Sequence, residues 1–238
     1  MVILRQFGIA LLMLLLVSSS IAGITVSPVK LNLSTTDKIG LINATNTGQD
    51  SQEYQINLYE WTQNGNADVS SVPTTDLIAI PRITNIKPQA SQAFRIGLVR
   101  EPDSSKELTY RFVIIPIANA ANEKPGTAAI LVGFSVPVFV APTGPIQKKL
   151  NWKIQQNSKG LLLSLTNAGN VHRVIKTVQV DAAASNSNKP LLDDKLAFYV
   201  LAGATHSWML NNQLPKDAAV TITVTTAEGN MVENVRVV

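Results

Sequence analysis

The sequence predicts an all-β protein made of two β-sandwiches. Three observations carry this. The 238 residues are 45% hydrophobic and only 15% charged, enough apolar surface for one large or two modest globular domains. From Ile24 onward the apolar residues recur at period two, with clusters of Asn, Gly, Pro and Ser between the runs. No stretch from 24 to 140 sustains a helical period. A composition change near 142–150, with Pro142, Gly144 and Pro145 followed by Lys148 and Lys149, then marks a boundary.

The first 23 residues, MVILRQFGIALLMLLLVSSSIAG, have the pattern of an export signal: one cation at Arg5, an apolar run from Ile9 to Val17, and small residues up to the exit. That run is shorter than the ~20 residues of a spanning helix. Cleavage is expected after Ala22 or Gly23.

The runs ITVSPVKLNLS, KIGLINATNT, QEYQINLYEWTQ, QAFRIGLV and LTYRFVIIPI follow as strands. A hairpin turn is predicted at 63–66, where Gly and Asn tolerate positive φ, and another turn at 87–91, where Pro88 presets φ. Short strands at this spacing argue for an antiparallel sandwich over 24–142. Beyond the Pro-containing elbow, LNWKIQQ, GLLLSLTNAG, VIKTVQV, LAFYVLAG and AVTITVTT predict a second sandwich over 148–238.

The run GTAAILVGFSVPVFVAPTG at 126–144 departs from simple alternation. Ala128, Ile130, Val132, Phe134, Val136 and Val138 form one apolar face. Ala129, Leu131, Gly133, Ser135, Pro137 and Phe139 form a second that is mostly apolar. A strand of a two-layer sandwich has one core face, so a strand with two calls for a cover from outside. Pro137 fits an edge position, because proline has no N–H to donate to a ladder. A long apolar edge is also an aggregation template. The preceding segment, 120–127, reads as a polar loop.

The chemistry of enzymes is missing from this sequence. With no Cys there is no disulfide framework, thiol nucleophile or Cys-based metal site. His172 and His206 lack acidic neighbours at metal-ligand spacing and read as packed or surface residues. No HExxH, GxSxG, GxGxxG or Walker-type motif occurs. Asp193 and Asp194 read as a solvated loop. The net charge of +4 comes from scattered cations, which excludes a nucleic-acid footprint. No catalytic residue, cofactor or metal is expected.

VSPVKLNL, ATNTGQDSQEYQINLYEWTQNG, IPRITNIKPQASQAFRIGLVR, TYRFVIIPI, ILVGFSVPVFVAP and LTNAGNVHRVI, in that order and spacing, resemble the PapD-like periplasmic chaperones of chaperone–usher pilus assembly. SVPVFVAP and YEWTQNG are most similar to the archaic branch, which makes spore-coat-protein-U-like pili. The resemblance implies two immunoglobulin-like sandwiches in a boomerang arrangement. It also implies that the strand carrying Ala128, Ile130, Val132, Phe134 and Val136 is lent to a pilus subunit whose own sandwich lacks one, a form of β-strand addition. Partners would be pilus subunits and an outer-membrane usher, in the periplasm. Without a subunit, two chains pairing through this strand is the simplest way to cover it.

In the classical family a basic residue on the first strand and a Lys on the lent strand anchor the subunit's terminal carboxylate. Lys30 falls at the first position and Pro137 at the second, so the second cation is missing. Arg95 and Arg111, on strands expected to face the same region, are the replacements considered, since a guanidinium can bind a carboxylate bidentately. Two other readings remain open at this stage: an exported pilus subunit or adhesin, and an exported ligand-binding sandwich.

Overall fold

The computed structural model describes residues 23–65, 68–118, 132–183 and 189–238. The expected export signal lies outside these apart from Gly23. Ala128, Ile130 and the loop at 120–127 are outside them too.

All regular structure among the described residues is β. The strands are β1 (Ile24–Ser27), β2 (Leu31–Leu33), β3 (Ile39–Asn46), β4 (Gln52–Asn64), β5 (Asp68–Pro73), β6 (Leu77–Ile80), β7 (Ile83–Ile86), β8 (Ser91–Leu98), β9 (Leu108–Pro116) and β10 (Phe134–Val140). After them come β11 (Leu150–Asn157), β12 (Gly160–Asn167), β13 (Arg173–Ala182), β14 (Leu192–Asp194), β15 (Phe198–Val200), β16 (Thr205–Leu210), β17 (Ala219–Thr226) and β18 (Gly229–Arg236).

The first ten strands make two sheets, ordered β1-β3-β8-β6 and β2-β10-β9-β4-β5, with β7 also on β4. Alternating residues of both meet in one core: Ile42, Phe94 and Ile96 from the first sheet pack with Ile56, Phe112, Ile114 and Val138 from the second. The remaining strands form sheets β11-β12-β16 and β14-β13-β17-β18, with β15 on β13. Their core joins Leu161, Leu163 and Leu165 to Ile175, Val180 and Ile222.

The run ITVSPVKLNLS is not one strand. Ile24–Ser27 pairs antiparallel with β3 in one sheet, and Leu31–Leu33 pairs parallel with β10 in the other. Pro28 cannot extend a ladder, and the chain crosses between the sheets there. Near the first expected turn Gln63 and Asn64 still lie in β4, where Asn64 pairs with Asp68, and Gly65 has φ 61°; residue 66 lies outside the described residues. The second expected turn forms. Pro88 and Gln89 turn the chain under an Ala90 N–H to Lys87 C=O bond of 3.1 Å, and Gln89 takes the positive φ (58°) that the third position of a type II turn requires. Asp193 and Asp194 lie in a strand, not a solvated loop: Gln179 faces Asp193, and Asp194 accepts a 2.9 Å bond from the Trp208 indole.

One local device occurs in both sandwiches. Buried Asn46 donates to the carbonyls of Asp50 (2.7 Å) and Ile86 (2.9 Å) and accepts from Gly48 N–H (2.9 Å). Buried Asn167 donates to the carbonyls of Val171 (2.8 Å) and Val200 (2.9 Å) and accepts from Gly169 N–H (3.0 Å). Each closes the turn after a strand and satisfies both of its amide donors, with its oxygen also bonded, inside the core.

The sandwiches are joined by polar bonds. Asn170 donates to the carbonyls of Ser105 and Pro145, both at 2.9 Å, and its side-chain oxygen accepts from Gln147 N–H at 2.7 Å. Gln63 donates to Tyr199 C=O and accepts from Leu201 N–H, both at 2.9 Å.

Candidate binding cleft between the sandwiches

The cleft is built on the outward face of the β2-β10-β9-β4 sheet. On β9 the even residues Leu108, Tyr110, Phe112 and Ile114 enter the core, so Thr109, Arg111 and Val113 face out. On β10 the core residues are Val136, Val138 and Val140, so Ser135, Pro137 and Phe139 face out. Pro137 lies directly opposite Arg111, and Arg111 opposite Tyr59 of β4. On the other side of β10, Val138 pairs with Leu31. Lys30, one residue earlier, is therefore level with Pro137. The register produces a row of Lys30, Pro137, Arg111 and Tyr59 across four neighbouring chain segments.

Both cations in this row lack an acid partner among the described residues. Lys30 is partly buried, and its side chain has no hydrogen bond or ion pair among the described residues. The Arg111 guanidinium lies 3.9 Å above the Trp61 ring, and its Nη1 donates to Ser135 Oγ at 3.1 Å. Arg111 Nε is buried with no acceptor. Burial holds the Arg111 pKa below its ordinary value, partly opposed by Tyr199. Two part-desolvated cations with no acid partner among the described residues give this row a positive charge able to attract an anion.

Arg95 is elsewhere, which corrects the sequence expectation. It is exposed on β8, between Leu41 of β3 and Ile80 of β6, on the outer face of the opposite sheet. The sandwich core separates it from Lys30 and Arg111. Parity and pairing decide this, and neither was visible in the run QAFRIGL.

The strand with two apolar faces also resolves differently along its length. Val136 is 2% exposed and belongs to the chain's own core, so it is not free for a partner. Val132 and Phe134 continue the same side-chain parity but are 58% and 40% exposed. One apolar stripe thus serves the core from Val136 onward and meets solvent before it. At its C-terminal end the opposite face is covered within the chain, while Ser135 stays exposed: Phe139, 1% exposed, packs with Trp61 and Tyr199 and stacks on His172 at 3.7 Å. The one-core-face argument missed this because a second sandwich lies over the outer face. β10 pairs with β9 throughout but with β2 only from Val138. Among the described residues Phe134–Val136 therefore has no ladder partner on that edge, and Pro137 sits where no β2 ladder needs its N–H. Gly133, where a Cβ would come within 2.8 Å of the Ile114 carbonyl oxygen, permits close approach to β9.

His172 is a packed histidine. Its Nδ1 lies 2.8 Å from Glu107 Oε2, and its backbone N–H donates to the same oxygen at 2.8 Å. Glu107 is far away in sequence, so residue spacing could not reveal the pair. Sequence reasoning also missed the aromatic lining from Phe198, Tyr199 and His206, whose runs read only as strands.

The sequence model of the family described as pili and flagellar-assembly chaperone, PapD N-terminal domain, matches residues 23–145. No curated protein matches the sequence. Among solved structures, the chain is similar to one from the CsuC–CsuE chaperone–tip adhesion subunit pre-assembly complex of the archaic chaperone–usher Csu pili of Acinetobacter baumannii. The identity is 17%, over 91% of this chain and 98% of that one, with a TM-score of 0.64. It is also similar to the class 5 fimbriae chaperone CfaA, at 14% identity over 89% and 98% with a TM-score of 0.59. A third likeness is to a structure of Salmonella enterica SafA pilin in complex with the SafB chaperone, at 13% identity over 92% and 98% with a TM-score of 0.60. At these identities the likeness shows the fold: two immunoglobulin-like sandwiches.

Proposed function

The chain belongs to the pili and flagellar-assembly chaperones with a PapD N-terminal domain, and from that premise we propose that it captures pilus subunits by lending them a strand. Membership makes it a pilus-assembly chaperone and not an enzyme. The lent segment is the stripe that runs N-terminally from Phe134 through Val132 toward Ile130 and Ala128, entering the open groove of a subunit. The unpaired edge at Phe134–Val136 supplies main-chain groups for the added pairing. Lys30 and Arg111 take the subunit's terminal carboxylate and so set the register, which matters because a one-residue slip would turn every inserted side chain to the wrong face. The protein does this in the periplasm, after removal of the segment up to Ala22 or Gly23, and passes the subunit to an outer-membrane usher. Without a subunit, a second copy covers the open edge.

The observation that carries this reading is the row Lys30–Pro137–Arg111 beside the open edge of β10. Arg111 stands across from the proline that occupies the classical lysine position.

Periplasmic subunit levels on co-expression test it, with folding of each variant checked by circular dichroism. Lys30→Ala and Arg111→Ala should each lose most of the subunit, since removing one partner of a desolvated charge pair costs about 2–5 kcal/mol. Arg95→Ala should leave the level unchanged. Normal levels in both Lys30→Ala and Arg111→Ala would sink the anchor.

A further inference from the structure

Beside Arg111 lies a cleft of ≈ 250 Å3, lined by Trp61 and Gln63 from β4 and by Phe198, Tyr199 and His206 from the second sandwich. Its walls are aromatic. Trp61 meets Tyr199 edge-on at 5.5 Å between centroids, and Phe198 stacks on His206 at 4.4 Å. The volume is below the roughly 300–1,000 Å3 of sites for drug-sized ligands and suits a single side chain.

Its polar character is equally one-sided. Two donors on lining residues, Trp61 Nε1 and Arg111 Nε, are closed to solvent and have no acceptor among the described residues. Burial raises the Tyr199 pKa and lowers that of His206, against the opposing pull of Asp194, so both are neutral at pH 7. Arg111 is the one charged residue in the lining. An occupant that satisfies this cleft brings a flat apolar group and, within a few bonds of it, an anionic acceptor.

We propose that this cleft is a selectivity pocket for the last residue of the bound subunit: an aromatic side chain enters between Trp61, Phe198 and Tyr199 while its α-carboxylate meets Arg111. In a polypeptide, ring and carboxylate stand this close within one residue only at an aromatic C-terminus. Phe, Tyr or Trp bring the apolar area, and offset or edge-to-face ring contacts add to it. The inference rests on the carboxylate-anchor reading of Arg111 and adds to it the identity of the terminal side chain.

The test titrates the 15N-labelled full chain with N-acetyl-L-phenylalanine, N-acetyl-L-alanine and N-acetyl-L-phenylalanine amide, following the Trp61 indole N–H signal. The chain has three Trp, and Trp61→Phe identifies the signal. N-acetyl-L-phenylalanine is expected to bind about tenfold more tightly than either of the others, the scale of one ring contact or one charge-assisted bond. Tyr199→Ala should abolish the preference for phenylalanine over alanine and leave N-acetyl-L-alanine binding unchanged. Phe198→Ala repeats the measurement should Tyr199→Ala misfold.

Equal binding of the phenylalanine and alanine acids would overturn the aromatic pocket while leaving the anchor intact. Equal binding of the acid and the amide would overturn the anchor itself. No movement of the Trp61 signal with any probe would overturn both.

Discussion

At the scale of single residues, Asn46 and Asn167 show how a polar side chain can hold a core together. Each makes three hydrogen bonds to backbone groups around a turn, in a site closed to water. Asn46→Ala would strand the Ile86 carbonyl and the Gly48 N–H without partners. Each such orphan costs about 1–3 kcal/mol, so a loss of roughly 2–6 kcal/mol is expected, measured as a fall in the urea midpoint of the first sandwich. Asn167→Ala should do the same to the second. A loss below about 0.5 kcal/mol, the scatter of ordinary surface substitutions, would mean that these bonds do not close the turns. The sequence contains both motifs, Asn-Thr-Gly and Asn-Ala-Gly, but their carbonyl partners at Ile86 and Val200 lie 40 and 33 residues away.

At the scale of the element, β10 divides one stripe between two tasks. Val136, Val138 and Val140 face the core of the first sandwich; Val132 and Phe134 have run past its end. The same substitution therefore has opposite consequences along one face. Val132→Asp and Phe134→Asp should leave the chain folded and abolish subunit capture, because the charge would enter the subunit's groove. Val136→Asp should cost about 4 kcal/mol or more and unfold the first sandwich, since it buries an unpaired charge in the chain's own core. Circular dichroism and subunit co-purification separate the two. Loss of fold with Phe134→Asp would move the boundary of the core toward the N-terminus of the strand. The alternation of the run was legible in the sequence. The point at which it changes partner was not, because that depends on where the facing sheet stops.

At the scale of the whole molecule, a small set of polar bonds fixes how the sandwiches meet. Asn170 ties the second sandwich to the Ser105 loop and to the elbow at Pro145 and Gln147, while the Gln63 amide clamps the backbone at Tyr199 and Leu201. The cleft depends on this docking, since Arg111 and Trp61 come from one sandwich and Phe198, Tyr199 and His206 from the other. The double variant Gln63→Ala, Asn170→Ala removes five of these bonds, at about 1 kcal/mol each. It should preserve the far-UV spectrum, enlarge the radius of gyration in X-ray scattering and reduce subunit capture. An unchanged radius with normal capture would show that the remaining contacts, the apolar packing of Phe139 and Trp61 and the His172–Glu107 pair, suffice to hold the arrangement.

By itself the sequence determined most of the long strands, the turns at Gly65 and Pro88, the change of composition at the elbow and the absence of thiol and motif chemistry. These follow from local rules: period-two alternation, positive φ, the missing N–H of proline, and residue inventory. Only the tertiary structure decided that ITVSPVKLNLS divides between two sheets, that Arg111 and not Arg95 stands beside Pro137, and that Trp61 and Phe139 leave one sandwich to pack on the other. Those outcomes depend on which strands become neighbours and which surface covers them. Pairing and burial are relations between segments distant along the chain, and alternation within any one segment is the same whichever partner it finds.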